Sequence, residues 1–197
     1  MTDADLVHRA RHGDETAYHE MVETCAPYLY RLAFSLVGNA ADADDVLQET
    51  FSGAFQSLRR FEGRSSVKTW LAAILVRQAA KFRRSRGRHR MISLNKISEE
   101  SKALHTARRA VPSKTESDTR LDVLAVVQTL IPIHRQVIVL RELQGMSYDE
   151  IAGILGVPRG TVESRLFRAR QELKERLRDY SPNDEQTGPA AAAGREA

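Results

Sequence analysis

Residues 146–170, MSYDEIAGILGVPRGTVESRLFRAR, constrain the fold more than any other stretch, because they specify two helices joined by a tight turn. Ser147 and Glu150 have the S-x-x-E spacing of a capping box, which predicts a helix beginning at Tyr148. Ile151, Ala152, Ile154 and Leu155 give that helix one apolar face. Gly156 stands where the chain must leave it, and Val157 suits the corner. Pro158 suits the first turn of a second helix, where its missing N–H costs nothing. In that helix Val162, Leu166, Ala169, Leu173 and Leu177 recur at spacings of three or four, and a buried stripe is expected.

The opposite face of the second helix carries Gly160, Glu163, Ser164, Phe167, Arg168 and Gln171, with Arg159 in its first turn. A DNA major groove can use these side chains: Arg for guanine or phosphate, Glu for the cytosine amino group, Phe for the thymine methyl. A solvated helix face is the plainer alternative. Small residues at Ala152 and Gly156, where two helices must approach closely, favour a DNA-reading helix-turn-helix.

The other constraints are compositional. The 197-residue chain allows one or two small domains, and its net charge of +4 suits a polyanionic partner only if the charge is clustered. A single cysteine, Cys25, excludes an internal disulfide and a cysteine-built zinc site, consistent with a reducing cytoplasm. No apolar run reaches membrane-spanning length, and the opening MTDADLVHRA does not read as a signal peptide. Membrane insertion is not expected. Strand-like alternation is scarce, so the expected fold class is all-α: two small helical domains joined by a flexible linker, the C-terminal one a helix-turn-helix.

Composition shifts place the boundaries. Apolar residues recur at helical spacing through residues 1–91. Residues 92–119 are polar and mixed in charge, reading as a flexible linker with a short helical piece near 101–110. A second helical block covers residues 120–180. The tail 181–197, SPNDEQTGPAAAAGREA, is expected to be disordered.

The first module has two faces of opposite sign. Residues 39–58, NAADADDVLQETFSGAFQSL, predict a helix burying Leu47, Phe51, Ala54, Phe55 and Leu58. Asp42, Asp45, Glu49, Ser52 and Gln56 face outward, with Gln48 at the margin. The helix dipole accounts for acids in the first turn but not for Gln48 and Glu49 further along. These suit an acidic surface for a basic protein partner. Between Arg59 and Arg90 there are eleven Lys or Arg residues and only one acid, Glu62. Phe61, Trp70 and Phe82 are interleaved with them, as suits stacking on bases or packing beneath a phosphate-binding rim.

Four stretches carry a resemblance to a known family: DLVHRARHGDETAYHEMV, LYRLAFSLVGNAADADDVLQETF, FEGRSSVKTWLAAILVRQAAKFRR and LIPIHRQVIVLRELQGMSYDEIAGILGVPRGTVESRLFRAR. In order and spacing the chain resembles bacterial sigma factors of the extracytoplasmic-function type, the minimal two-domain class of the sigma-70 family. The resemblance implies a specificity subunit of RNA polymerase that directs promoter-specific initiation. Residues 1–91 would be sigma domain 2, with Asp45, Gln48 and Glu49 matching the D-x-x-Q-E pattern that docks on the polymerase clamp coiled coil. Arg64, Ser65, Ser66 and Lys68 in a loop, followed by Trp70, Arg77, Gln78, Lys81 and Arg84 on a helix, would read and help open the −10 element. Opening captures an unstacked base, and new contacts offset its unstacking.

By the same resemblance residues 120–180 would be sigma domain 4. It would read the −35 element through Arg159, Gly160, Glu163, Ser164, Phe167 and Arg168 and bind the polymerase flap with its other surface. An anti-sigma factor would hold the chain inactive. Two departures stand out. Arg77-Gln78 replaces the family's common Arg-Asn, and Glu163 stands where members often carry a basic residue. Neither promoter element can therefore be copied from relatives.

His8 and His12 lie four apart on an expected helix and could ligate a metal with His19 or Cys25. Surface histidines at this spacing are usually solvated, and no metal is assigned. No Ser-His-Asp set, phosphate loop or convergent carboxylate pair is present, so no catalytic residue and no cofactor are expected. Two other classes compete. A stand-alone operator-binding regulator explains only the second module. A DNA-modifying enzyme with a helix-turn-helix tether lacks a catalytic constellation.

Overall fold

A computed structural model describes residues 3–96 and 116–180, with side-chain environments for 5–86 and 123–177. The described residues are helical, with no strand among them. The first module contains α1 (Asp3–Arg11), α2 (Glu15–Val37), α3 (Ala40–Ser57), a 3-10 turn (Leu58–Arg60) and α4 (Val67–Lys96). The second contains α5 (Glu116–Thr129), α6 (Pro132–Ile138), a π turn (Val139–Leu143), α7 (Tyr148–Leu155) and α8 (Arg159–Tyr180). Helix thus continues past residue 91 and begins before residue 120. The expected helical piece near 101–110 and the tail 181–197 lie outside the described residues.

α2 is the central helix and touches α1, α3, α4 and α5. Asp14 caps its start, accepting from Ala17 N at 3.0 Å and from Arg9 Nε at 2.8 Å, which ties the end of α1 to it. Met21, Cys25, Leu29, Leu32 and Leu36 recur at four- and three-residue spacing and are buried. Pro27 sits inside α2 but on an exposed face, where water can serve the carbonyl left without its helical donor.

The buried face of α3 differs from expectation. Ala43, Val46, Thr50 and Ala54 point inward, with Leu47 and Phe51 half-buried, and Phe55 is 61 % exposed. Small side chains at the contact let α3 approach α2 and α4 closely. The Phe55 ring instead lies edge-on to Tyr18, with centroids 5.2 Å apart. The one polar group on that inner face, Thr50, donates its hydroxyl to Val46 O at 2.7 Å.

The helix-turn-helix forms as the sequence dictates. Ser147 Oγ accepts from Glu150 N, and Glu150 Oε2 accepts from Ser147 N at 2.9 Å, completing the capping box. Gly156 ends α7 in the left-handed region at φ 64°. Pro158 precedes α8, and its carbonyl accepts from Thr161 N at 2.9 Å. Val162, Leu166 and Ala169 are buried and Leu173 is half-buried. Leu177 is exposed, contrary to the expected stripe, because burial falls off as α8 outruns its partners α5, α6 and α7.

The two modules pack against each other, and one continuous core runs through both. Their junction is the C-terminal end of α2. A helix leaves its last carbonyls without internal donors, and the last turn of α2 has no basic residue of its own. The second module supplies the donors: Gln128 Nε2 to Ser35 O at 2.7 Å, and Arg135 Nη1 to Leu36 O at 3.0 Å. Arg135 is 8 % exposed and also donates to Leu130 O, to Gln128 Oε1 at 2.6 Å and to Gln128 O. Burial, and then the charge of Arg83, lower its pKa to about 10. The guanidinium therefore stays charged at neutral pH. A second contact pairs α7 with α4, where Thr69 Oγ1 lies 3.5 Å from Glu150 Oε1.

Two measurements follow from these local devices. Gly13 and Gly38 both have positive φ, but a methyl at Gly13 meets nothing, whereas one at Gly38 would lie 2.8 Å from the Gln128 amide carbon. Gly13→Ala should cost about 1–2 kcal/mol in urea unfolding for the left-handed backbone. Gly38→Ala should cost about 1–3 kcal/mol more for overpacking against a side chain held by two hydrogen bonds. Equal losses would mean that Gln128 is not held there. The second device is electrostatic: the Ser147 backbone N–H, then its hydroxyl, hold the Glu150 carboxyl below the usual glutamate range. That stabilisation is complete above the ordinary glutamate pKa and disappears as pH falls through the lowered value. Ser147→Ala should therefore cost about 1 kcal/mol near neutrality. In thermal melts the gap from wild type should narrow under acid, and a gap independent of pH would contradict it.

Candidate nucleic-acid interfaces

Asp45, Gln48 and Glu49 all lie on the exposed side of α3. With Gln78, Lys81 and Phe82 of α4 they line a cleft of about 350 Å³. Two sets of residues assigned separately in the sequence thus meet in one groove. Arg86 crosses from α4 to pair with Asp42 of α3, and its guanidinium sits 5.7 Å from the Phe82 ring centre. Gln78 is half-buried and packs toward α3, where Gly53 leaves room for its amide. A longer residue on α3 at that place would push Gln78 out of the groove.

Arg77, Lys81 and Arg84 recur along one exposed stripe of α4. Arg83 faces the other module, and burial lowers its pKa. Trp70 is half-buried against the core and packs on buried Phe61, with ring centres 4.7 Å apart. These aromatics therefore serve the packing alternative raised by the sequence, a floor beneath a basic rim. In the preceding loop Arg64 pairs with Glu62, while Ser65 and Lys68 are exposed. Ser66 accepts from Thr69 N at 3.0 Å and so caps the start of α4.

On α8 Arg159, Gly160, Glu163, Ser164, Phe167 and Arg168 are all exposed and share one face. Phe167 is 65 % exposed, an unusual state for a large ring, and nothing among the described residues covers it. Arg159 is held in place by three groups: Glu163 Oε1 at 3.0 Å, Asp149 Oδ2 at 3.0 Å and the Tyr148 ring at 5.8 Å. Glu163 and then Asp149 raise its pKa. Asp149 and Tyr148 are functional neighbours that the sequence reading missed. They lie on α7, and only the turn at Gly156 brings them to α8. Ser164 Oγ donates back to Thr161 O at 3.0 Å.

The histidine candidates do not converge. The His8 ring lies tilted against that of His12, His19 pairs with Glu23, and Cys25 of α2 is buried in the core. Among the described residues no group of three or more His, Cys, Asp or Glu side chains is placed to hold a metal. No described helix is long and apolar enough to cross a membrane.

Comparison with known proteins assigns this architecture. Residues 21–89 match the family model for sigma-70 region 2, and residues 120–173 match that for sigma-70 region 4. The chain is 36 % identical over 180 residues to the ECF RNA polymerase sigma factor SigE of Mycolicibacterium smegmatis, covering 89 % of this chain and 68 % of that one. It is 34 % identical over 185 residues to the ECF RNA polymerase sigma-E factor of Escherichia coli K12, covering 90 % and 95 %. Among solved structures, RpoE of Bartonella quintana, bound to the anti-sigma factor NepR, matches 82 % of this chain and 96 % of that one at 30 % identity and a TM-score of 0.64. CnrH, bound to the cytosolic domain of CnrY, matches 91 % and 99 % at 25 % identity and a TM-score of 0.66. With both regions in order and relatives at 34 % identity or more matched over 68 % and 95 % of their own length, the chain belongs to the extracytoplasmic-function sigma factors of the sigma-70 family.

Proposed function

We propose that this chain binds core RNA polymerase and directs promoter-specific initiation by reading −10 and −35 elements, under the control of an anti-sigma factor. The observation that carries this reading is the ordered pair of sigma-70 regions on one chain, each presenting an exposed charged face. Residues 1–91 act as sigma domain 2, 92–119 as the tether and 120–180 as sigma domain 4, followed by the tail 181–197. Asp45, Gln48 and Glu49 dock on the basic side of the clamp coiled coil, where complementary charge sets encounter and orientation. Arg64, Ser65, Ser66 and Lys68, with Trp70, Arg77, Gln78, Lys81 and Arg84, handle the −10 element. Arg159, Gly160, Glu163, Ser164, Phe167 and Arg168 enter the major groove of the −35 duplex.

Catalysis belongs to the polymerase, and the chain works in the cytoplasm without a cofactor. The flap docks on the second module. Part of the surface of α5 and α6 is covered by α2 in the packed arrangement, so reading two separated elements requires the modules to part at the Arg135 junction. The solved relatives bound to an anti-sigma factor or to a cytosolic partner domain support control by a partner of that kind.

Charge reversal separates the two assignments. Asp45→Lys with Glu49→Lys should weaken core polymerase binding by roughly tenfold or more, because like charges would face each other. Fluorescence anisotropy on −35 duplex DNA should be unchanged for that variant. Arg168→Ala should do the reverse, losing about 1–3 kcal/mol of −35 binding while polymerase binding stays intact. Unaltered polymerase affinity in the reversed variant would remove the docking role from α3.

A further inference from the structure

The first turn of α8 holds one side chain more tightly than its exposure calls for. The Arg159 side chain is 57 % exposed, yet its Nε donates to Glu163 Oε1 and its Nη1 to Asp149 Oδ2, each at 3.0 Å. The two carboxylates come from different helices, Asp149 from α7 and Glu163 from α8 itself. The Tyr148 ring adds a third contact, 5.8 Å from the guanidinium carbon. That ring also carries Arg141 at 5.1 Å, and Arg141 donates to Met146 O at 2.8 Å. An isolated exposed ion pair contributes little, because two long side chains must be ordered to form it. Here Tyr148 and Asp149 are adjacent on α7, so one helix supplies both an anchor and a platform for the same guanidinium.

A guanidinium has five N–H donors in a rigid planar fork. The carboxylates engage Nε and one donor of Nη1, and among the described residues nothing takes the donors of Nη2. The fork is thus oriented, with donors left over for an external acceptor. On DNA that acceptor is either a phosphate oxygen or a base edge, and charge decides between them. Asp149, Arg159 and Glu163 together carry one more negative charge than positive, which disfavours a phosphate. Guanine O6 and N7 are neutral acceptors lying side by side, and an oriented arginine fork matches them. The first residues of a recognition helix are also the ones that reach base edges. Glu163 is meanwhile engaged by Nε, which competes with any cytosine amino group for its carboxylate.

We propose that Arg159 reads one guanine of the −35 element and that Asp149 and Glu163 are positioning residues, orienting its guanidinium instead of contacting DNA. This rests on the sigma-factor reading above and deepens it, placing a specificity determinant on α7 and not only on the helix expected to enter the groove. It also accounts for an acid at position 163, where relatives often carry a basic residue. Base reading has moved one turn toward the start of α8, and Glu163 supports it from behind.

The test uses the full chain with core polymerase and a promoter library randomised across the −35 element, read as base preference at each position. Arg159→Ala should lose a guanine preference of roughly tenfold at one position. Asp149→Ala and Glu163→Ala should each weaken the preference at that same position by roughly threefold or more, and neither should weaken it further in an Arg159→Ala background. Asp149→Asn and Glu163→Gln keep an oxygen for the guanidinium and should retain most of it. A direct base reader behaves differently: Glu163→Gln would then exchange cytosine for adenine at a position of its own, which overturns the proposal. So does a wild-type profile in Asp149→Ala, or equal weakening at every position, either of which would leave Asp149 only a first-turn acid of α7. Arg159→Ala that weakens all sequences alike and lowers the salt slope by about one marks a phosphate contact and overturns it too. A wild-type chain that selects no promoters with core polymerase overturns the underlying reading and this proposal with it.

Discussion

The way α2 ends governs the rest of the structure. Its last carbonyls need donors, its own final turn has no cation, and Gln128 and Arg135 of the second module provide the hydrogen bonds. A guanidinium matches the partial negative charge of a helix C-terminus. Here it is also buried, answered by carbonyl and amide oxygens, with Nε left without a partner and Arg83 nearby. A buried charge of this kind is tolerated rather than comfortable. The same groups that close the molecule therefore limit how firmly it stays closed, as suits the proposed parting of the two modules.

Closure also sets which faces remain available. α4 packs on two sides, against α2 and α3 and against α7, and leaves the stripe of Arg77, Lys81 and Arg84 in water. That stripe borders the acidic side of α3 across a single cleft. On the proposed reading, a polymerase docking on Asp45, Gln48 and Glu49 sits within reach of the residues that handle the opened strand. α8 is oriented differently, with the face proposed to read bases exposed even in the packed form.

The helix-turn-helix was almost wholly legible because its signals are local. A capping box, a glycine at the C-cap and a proline before the next helix each act within a few residues, and all occur where expected. Phe55 keeps the apolar spacing of α3 yet lies outside the helix contact. The packing instead selected small Ala43, Val46 and Ala54, letting helices approach and leaving the large ring outside. Leu177 keeps the apolar spacing but has outrun its partners, which no periodicity can reveal. The Arg135 junction and the hold of Asp149 and Tyr148 on Arg159 were invisible for a different reason. They join residues from separate helices through tertiary geometry, and arginine in a helical segment looks like a solvated side chain until its surroundings are known. The exposure of the α8 residues expected to face DNA was legible, while the pairing of Glu163 with Arg159 was not.

The most direct test of the account is run-off transcription from a library with randomised −10 and −35 elements, using the purified chain with bacterial core RNA polymerase. The account predicts transcripts with defined start sites that require the chain, and selected promoters with sequence preference at both elements. No transcript, combined with tight binding to duplex DNA without polymerase, would contradict it and leave a stand-alone DNA-binding regulator.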